Sequence, residues 1–418
     1  MRESFKLEWR ALVRGRALWA ALVAVALAHL LAPSLVRGDG TAEGVREMGI
    51  RLAEGASLAV ALLVSLASGC GLFAREREAN RLGMTLVRPA CAFAVVFGRW
   101  LALTCHAALL IGFSGALLLC RAEWAAVPCR HHFTPRLPSP MEVARLQIDR
   151  YLKDERTPDS VRKAPRGAVL QHLAMMENER YEVARPGETV SWDFGDFPGR
   201  DDPNAPSPVV GVRFAASYDL RTPVFGAFSF RRFAAGVTNC TQAVLEIPLL
   251  AAATNAGERL SFANRGVRDV MVRPRRDVEL LLPADSFVWN AVRASAVMLS
   301  LAAFLAALGM FLSSALSKPT ALFTGLSLVV VTLMSPSVVE RYPDTFDANL
   351  IDKIGLSISR FIAGVTGGLS DVSPVADLAA SRCVEWTLAV RTLSANGLLL
   401  SGILLACAAL VIRRRPQT

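Results

Sequence analysis

Two carboxylates, Glu76 and Glu78, lie in a charged stretch wedged between long apolar runs: Arg75-Glu76-Arg77-Glu78-Ala79-Asn80-Arg81-Leu82-Gly83-Met84-Thr85-Leu86-Val87-Arg88-Pro89. The chemistry open to them is ion pairing, each taking an Arg or Lys from a docking protein. Leu82 and Leu86 are four apart, so on a helix they share a face and can fill an apolar groove. Pro89 ends such a helix before the chain turns away. A short amphipathic helix gripped in a partner's cleft passes on a movement as a rigid element. The plainer alternative, a charged loop, needs neither the two Glu residues nor the closing Pro.

Elsewhere the reactive side chains are scattered. His29 and His106 fall inside apolar runs. A polar group there marks a substrate path or, in the plainer and favoured reading, bonds to a neighbouring helix. His131-His132 is the one adjacent histidine pair, with Cys129 two residues before it. A metal site needs further ligands at defined spacing, so this segment reads as a solvated linker and no metal is expected. A phosphate-binding loop needs Gly-Lys followed by Ser or Thr. The lysines are Lys6, Lys153, Lys163, Lys318 and Lys353, and none follows a glycine. No catalytic residues and no cofactor are therefore expected in this chain.

These side chains must be positioned largely by membrane helices. Of 418 residues 53% are hydrophobic, with a mean hydropathy of +0.37, too apolar for a soluble chain of this length. A bilayer crossing takes about 20 apolar residues. Six segments meet or approach that: 18–36, 52–73 (with Glu54 near its start), 100–120, 287–312, 321–339 and 388–412. Lys and Arg set the orientation. With the N-terminus inside, residues 1–16, 75–99, 317–320 and 413–418 are cytoplasmic, carrying 14 basic and 4 acidic residues. Their difference equals the net charge of +10, so the basic balance reports topology and not nucleic acid. Phe5, Trp9, Leu12 and Val13 fall on one face of a basic N-terminal helix that suits the membrane interface.

Residues 121–285 are long enough for an inserted extracytoplasmic domain. Its start, 127–140, is Pro-rich and reads as a linker; 141–155 and 164–180 look helical. Period-two alternation follows at Val190, Trp192 and Phe194 and at Val224, Gly226, Phe228 and Phe230, with short β-like runs at 244–247, 260–262, 270–272 and 278–282. Short alternating strands with turn signals between them predict a β-sandwich. Trp192, Phe225, Phe228, Phe230 and Phe233 read as its core in preference to a ligand groove. Asp285 or Ser286 is the expected N-cap of the fourth span. Of the eight cysteines, Cys129 and Cys240 lie on the oxidising side and can form a disulfide, with Cys120 a competitor for either. The other five, Cys383 among them, read as small apolar fillers.

Residues 75–102 resemble the permease subunits of type-2 ABC transporters, which are built from six-span subunits. That family carries, between its second and third spans, a segment reading Glu-basic-Glu-x-Gly-Thr-Leu, then a Pro, then Gly-Lys opening the third span. Here Glu76, Arg77, Glu78, Leu82 and Pro89 match in register, Gly98-Arg99 stands for Gly-Lys, and Asn80-Arg81 replaces Gly-Thr. Ser373-Pro374-Val375-Ala376-Asp377-Leu378 before the last span and the terminal Arg413-Arg414-Arg415 are similar to the family's C-terminal end. In that family the region corresponding to 346–380 dips into the outer leaflet. The insertion 121–285 is atypical.

The resemblance implies six transmembrane helices arranged as 1–120, 121–285 and 286–418. It implies a permease in the cell (inner) membrane with both termini cytoplasmic, paired with a second copy or homologue. ATP-Mg would bind separate ABC ATPase subunits docked on Glu76, Arg77, Glu78, Leu82, Leu86 and Pro89. Transport would be outward, among membrane lipid, with the outer domain free to meet an envelope partner. The alternative from a different class is a non-transporting receptor or scaffold whose working part is the β-domain, for which six spans are more than an anchor needs. An intramembrane enzyme would want clustered ionisable groups at bilayer depth.

Overall fold

The computed structural model describes residues 1–36, 42–78, 91–121, 129–154, 157–195, 209–216, 223–230, 233–240, 245–251, 259–341, 355, 357 and 373–414. The chain divides into two compact units, a helical one on Met1–Cys129, Asp285–Val339 and Gly355–Thr418, and one on Arg130–Ala284 and Glu340–Ile354.

In the helical unit, α1 (Arg2–Arg14) is amphipathic and breaks at Gly15, after which α2 (Arg16–Leu35) runs on. Phe5 and Trp9 stack at 6.2 Å, and Leu12 and Val13 pack onto the bundle. α3 (Ala42–Glu78), α4 (Ala92–Leu119), α7 (Phe287–Ala315) and α10 (Trp386–Arg414) complete the long helices. Five helices among the described residues are long and apolar enough to cross a membrane, so the chain is a membrane protein. The segment expected as a fifth of six spans is helical too, α8 (Lys318–Arg341), but its described apolar stretch, Lys318–Thr332, is shorter than a crossing.

α7 is the centre: 72% of its apolar window is buried, against 28% for α2. It meets α3 backbone to backbone. A Cβ on Gly69 would stand 2.6 Å from the Ala306 carbonyl oxygen, and one on Gly309 2.7 Å from that of Leu66. Ser313 Oγ donates to the Gly69 carbonyl at 3.0 Å. Small residues permit this approach, and in lipid close packing and such bonds are what hold helices together. The Ser286 hydroxyl caps α7, accepting from the Trp289 N–H, while Asp285 turns to Arg293. In α10 the helix widens to π geometry over Leu393–Leu400, with Gly397 against Ser300 of α7.

The helix of the third apolar run begins before residue 100. α4 starts at Ala92 and carries Arg99 about two turns along the helix. An apolar stretch, Phe93-Ala94-Val95-Val96-Phe97, supports the extra turns, and a carboxylate described below accepts the charge. The segment 346–380 lies largely beyond the described residues; its described end holds α9 (Pro374–Ala379), capped by Ser373.

The second unit is antiparallel β with helices added. The helices α5 (Pro140–Lys153) and α6 (Arg166–Asn178) pack through Ala144, Ile148, Val169, Leu170 and Leu173. A Ser139/Glu142 capping box starts α5. The strands are β1 (Arg130–Phe133), β2 (Glu182–Ala184), β3 (Thr189–Trp192), β4 (Val209–Val212), β5 (Ala215–Ala216), β6 (Pro223–Phe230), β7 (Phe233–Cys240), β8 (Leu245–Pro248), β9 (Leu250–Ala251), β10 (Leu260–Asn264), β11 (Val270–Val272) and β12 (Val278–Pro283). They form three sheets in the orders β1-β12-β4-β8, β3-β10-β6-β7-β9 and β2-β11-β5.

The segment expected as a linker contributes β1, whose His131 and His132 pair with Leu282 and Leu281 of β12. Its Pro residues flank the strand without interrupting it. The aromatic alternation is core: Trp192, Phe228 and Phe230 are at most 2% exposed, while Phe225 is 48% exposed. The side chain of Phe233 lies outside the described residues. Phe262 sits 5.1 Å from Phe214 and 5.0 Å from Phe228, over Gly226, where a Cβ would collide with its ring.

Candidate functional site

α3 does not stop at the apolar boundary but runs on through Arg75–Glu78, the first residues of the charged stretch. The Glu76 carboxylate meets a fork: Arg99 Nη1 donates to Oε2 at 2.8 Å and Nη2 to Oε1 at 2.6 Å. Two parallel charge-assisted bonds fix orientation as well as charge. Arg99 is 3% exposed, and its guanidinium carbon stands 5.6 Å from the Phe73 ring centroid.

The neighbours of Arg99 are equally constrained. Trp100 Nε1 donates to the Ala303 carbonyl of α7 at 2.9 Å. Gly98 lies against the start of α1, where a Cβ would be 2.6 Å from the Met1 carbonyl oxygen. Glu8 of α1 completes the cluster. Burial raises its carboxyl above the ordinary value of 4.5 and Glu76 adds to that, while Arg99 and Arg75 oppose it. The end of α3, the entry of α4 and α1 are thus joined by one ion pair and one glycine contact.

Of the residues singled out from sequence, Glu76 is placed on an intrachain partner. Arg77 and Glu78 are on the helix, with side chains outside the described residues; Leu82, Leu86 and Pro89 lie outside them altogether. Sequence reading missed the Arg99–Glu76 bond. The available signal was an arginine standing inside an apolar run, which requires a counter-charge.

A second polar cluster lies within the spans. His29 of α2, Glu54 of α3 and Ser114 of α4 are each at most 3% exposed. His29 Nε2 and Ser114 Oγ are 2.9 Å apart, and Ser114 Oγ donates to Glu54 Oε2 at 3.1 Å. With its proton given to Glu54, the serine oxygen accepts from Nε2–H, which assigns the His29 tautomer. Arg121 Nη2 donates to the His29 carbonyl at 2.6 Å.

This is not a hydrolytic triad. There the acid holds the histidine's other nitrogen, Nδ1; here Glu54 is 3.6 Å from Nε2, on the serine's side, and Nδ1 has no partner among the described residues. The cluster joins three helices by hydrogen bonds, the plainer of the two readings of His29. His106 is also buried, with no partner for Nε2 among the described residues.

The remaining candidates resolve as follows. His132 Nδ1 lies 2.8 Å from Glu279 Oε2 across the β1–β12 pair. No group of three metal-ligating side chains occurs among the described residues. Cys129 is fully buried in the helical unit, beside Cys383, whereas the Cys240 side chain lies outside the described residues. No protein-family model, curated protein or solved structure matches this chain.

Proposed function

We propose that this chain is the membrane-spanning permease subunit of an ATP-driven ABC exporter of the cell membrane. In this reading it works as a dimer with a copy or homologue, with both termini cytoplasmic and Lys318–Arg341 as a sixth span. The β unit is an extracytoplasmic, sandwich-like domain, and two ATPase subunits dock on residues 75–89. One observation carries the reading: α3 leaves its apolar run as unbroken helix into the charged stretch, and Arg99 clamps it there at Glu76. A motion applied to the charged stretch is then delivered to α3 and α4 together as a rigid body. A loop joined to the spans by flexible backbone would dissipate it.

The pairing of Glu76 within the chain divides the labour between the carboxylates. Glu76 holds the lever to α4, leaving Glu78, with Leu82 and Leu86, to face the ATPase. The test follows from that division. Tagged protein is purified from its native membranes in mild detergent and its partners are identified by mass spectrometry. Wild type is expected to bring down a stoichiometric P-loop ATPase. Glu78→Arg with Leu82→Glu is expected to lose it while inserting at wild-type level. Recovery of no ATPase under conditions that preserve a known transporter would overturn the permease reading and favour the receptor or scaffold.

A further inference from the structure

In the helical unit, the segment entering α10 is fixed against the start of α7. Asn290 brackets one residue: its Nδ2 donates to the Arg382 carbonyl at 2.7 Å, and its Oδ1 accepts from the Val384 N–H at 2.8 Å. The residue between is Cys383. Two residues before it, Ser381 holds a left-handed backbone at φ 56°, its hydroxyl taking a hydrogen bond from Arg46 at 2.9 Å, so the turn presenting Cys383 is over-determined.

Cys129 arrives from the other side. Its N–H donates to the Asp285 carbonyl at 3.0 Å. The Asp285 carboxylate pairs with Arg293 at 3.1 Å, and Arg293 Nη2 donates to Cys383 Sγ at 3.4 Å. Both cysteines are free thiols, and the Cys129 side chain stands beside that of Cys383. Two cysteines far apart in sequence are thus brought together by backbone and side-chain bonds, beside a buried guanidinium.

We propose that Cys129 and Cys383 form a disulfide that ties the end of the third-span connection to the segment entering the last span. The proposal rests on the topology of the permease reading, which places both sulfurs on the oxidising face. The pair is chemically asymmetric. The hydrogen bond from Cys129 and the charge of Arg293 hold the Cys383 thiol down at about 7 against its burial, whereas the same bond and burial push Cys129 up. Cys383 is also the partly exposed member, so it makes the first attack.

The oxidant is a protein disulfide of the thiol-oxidase class. The Cys383 thiolate attacks one donor sulfur, forming a mixed disulfide and releasing the other donor sulfur as a thiol. Cys129 then gives up its proton and attacks the Cys383 sulfur, and the first donor sulfur leaves. Two protein thiols are oxidised and one donor disulfide is reduced to a dithiol.

The test uses full-length protein in native membranes, denatured in the presence of excess alkylating agent and digested with trypsin without reduction. Wild type is expected to yield residues 122–130 linked to residues 383–391, a species lost on reduction and absent from both Cys129→Ser and Cys383→Ser. Cys240→Ser is expected to retain it. Recovery of both peptides alkylated without reduction overturns the disulfide. A membrane-impermeant maleimide applied to intact cells carrying Cys129→Ser then separates two failures. Labelling at Cys383 means the face is external and the disulfide alone is wrong. Labelling only after permeabilisation means the disulfide and the outer orientation fail together.

Discussion

In the helical unit, α3 and α7 meet at Gly69 and Gly309 with backbone oxygens where side chains would otherwise stand. In the β unit, the middle is filled by Phe214, Phe228 and Phe262, each 1% exposed or less. The difference follows the solvent. Helices in lipid gain little from burying apolar surface, so they approach closely on small residues and use polar bonds: Ser313 to Gly69, Ser114 to Glu54, Arg99 to Glu76. A β unit in water gains about 25 cal/mol for each Å² of apolar surface removed, so it buries large rings. The bundle is sensitive to added atoms and the β unit to removed ones.

The strongest way to break the contrast is Phe262→Ala. It empties the space between two rings and is expected to cost about 3–5 kcal/mol. The β unit should become protease-sensitive while the helical unit keeps its detergent melting profile. Equal loss in both would refute the separation into two units.

Arg99→Ala comes next. It strands the Glu76 carboxylate, at an expected cost of about 2–3 kcal/mol, below the roughly 3–5 of a fully buried pair because Glu76 is 26% exposed. Adding Glu76→Ala should recover part of the loss in a double-mutant cycle, measured as melting midpoints in detergent. No coupling would mean that the fork does not hold α3 to α4.

Gly69→Ala adds one methyl group at a backbone contact, and overpacking of this kind costs about 1–3 kcal/mol. A matched Gly236→Ala in β7, where an added Cβ meets nothing within 4 Å, should leave stability nearly unchanged. A reversed ranking in thermal melts would remove the contrast between crowded helix and open strand.

The smallest expected effect sharpens the electrostatic side. The folded carboxyl of Glu8 is raised, so folding favours its protonated form. Its penalty is absent below the ordinary value of 4.5, grows as pH rises through the window up to the raised value, and is constant above it. Glu8→Gln should therefore lift the melting midpoint at neutral pH and lose that advantage below pH 4.5. An advantage independent of pH would assign the effect to packing.

Much of the fold was legible because bilayer thickness and strand period are written locally. The ends of α7 and α10 follow from runs of apolar residues, the start of α7 from a Ser cap, and β10 to β12 from period-two alternation bounded by Asn and Gly. β7 was missed because Ala234-Ala235-Gly236 alternates nothing; its partner β6 defines it. The reach of α4 back past Arg99 was not legible because local hydropathy treats an arginine as an end, when a carboxylate 23 positions earlier lets it continue a helix.

What the sequence determined alone is the membrane class, the uneven distribution of charge and the β region, since each depends on composition over a window. The tertiary structure decided which partners meet: Glu76 with Arg99, His29 with Glu54 through Ser114, and Cys129 with Cys383. Such pairings join residues distant in the chain, and only helix packing sets whether their atoms come within bonding distance.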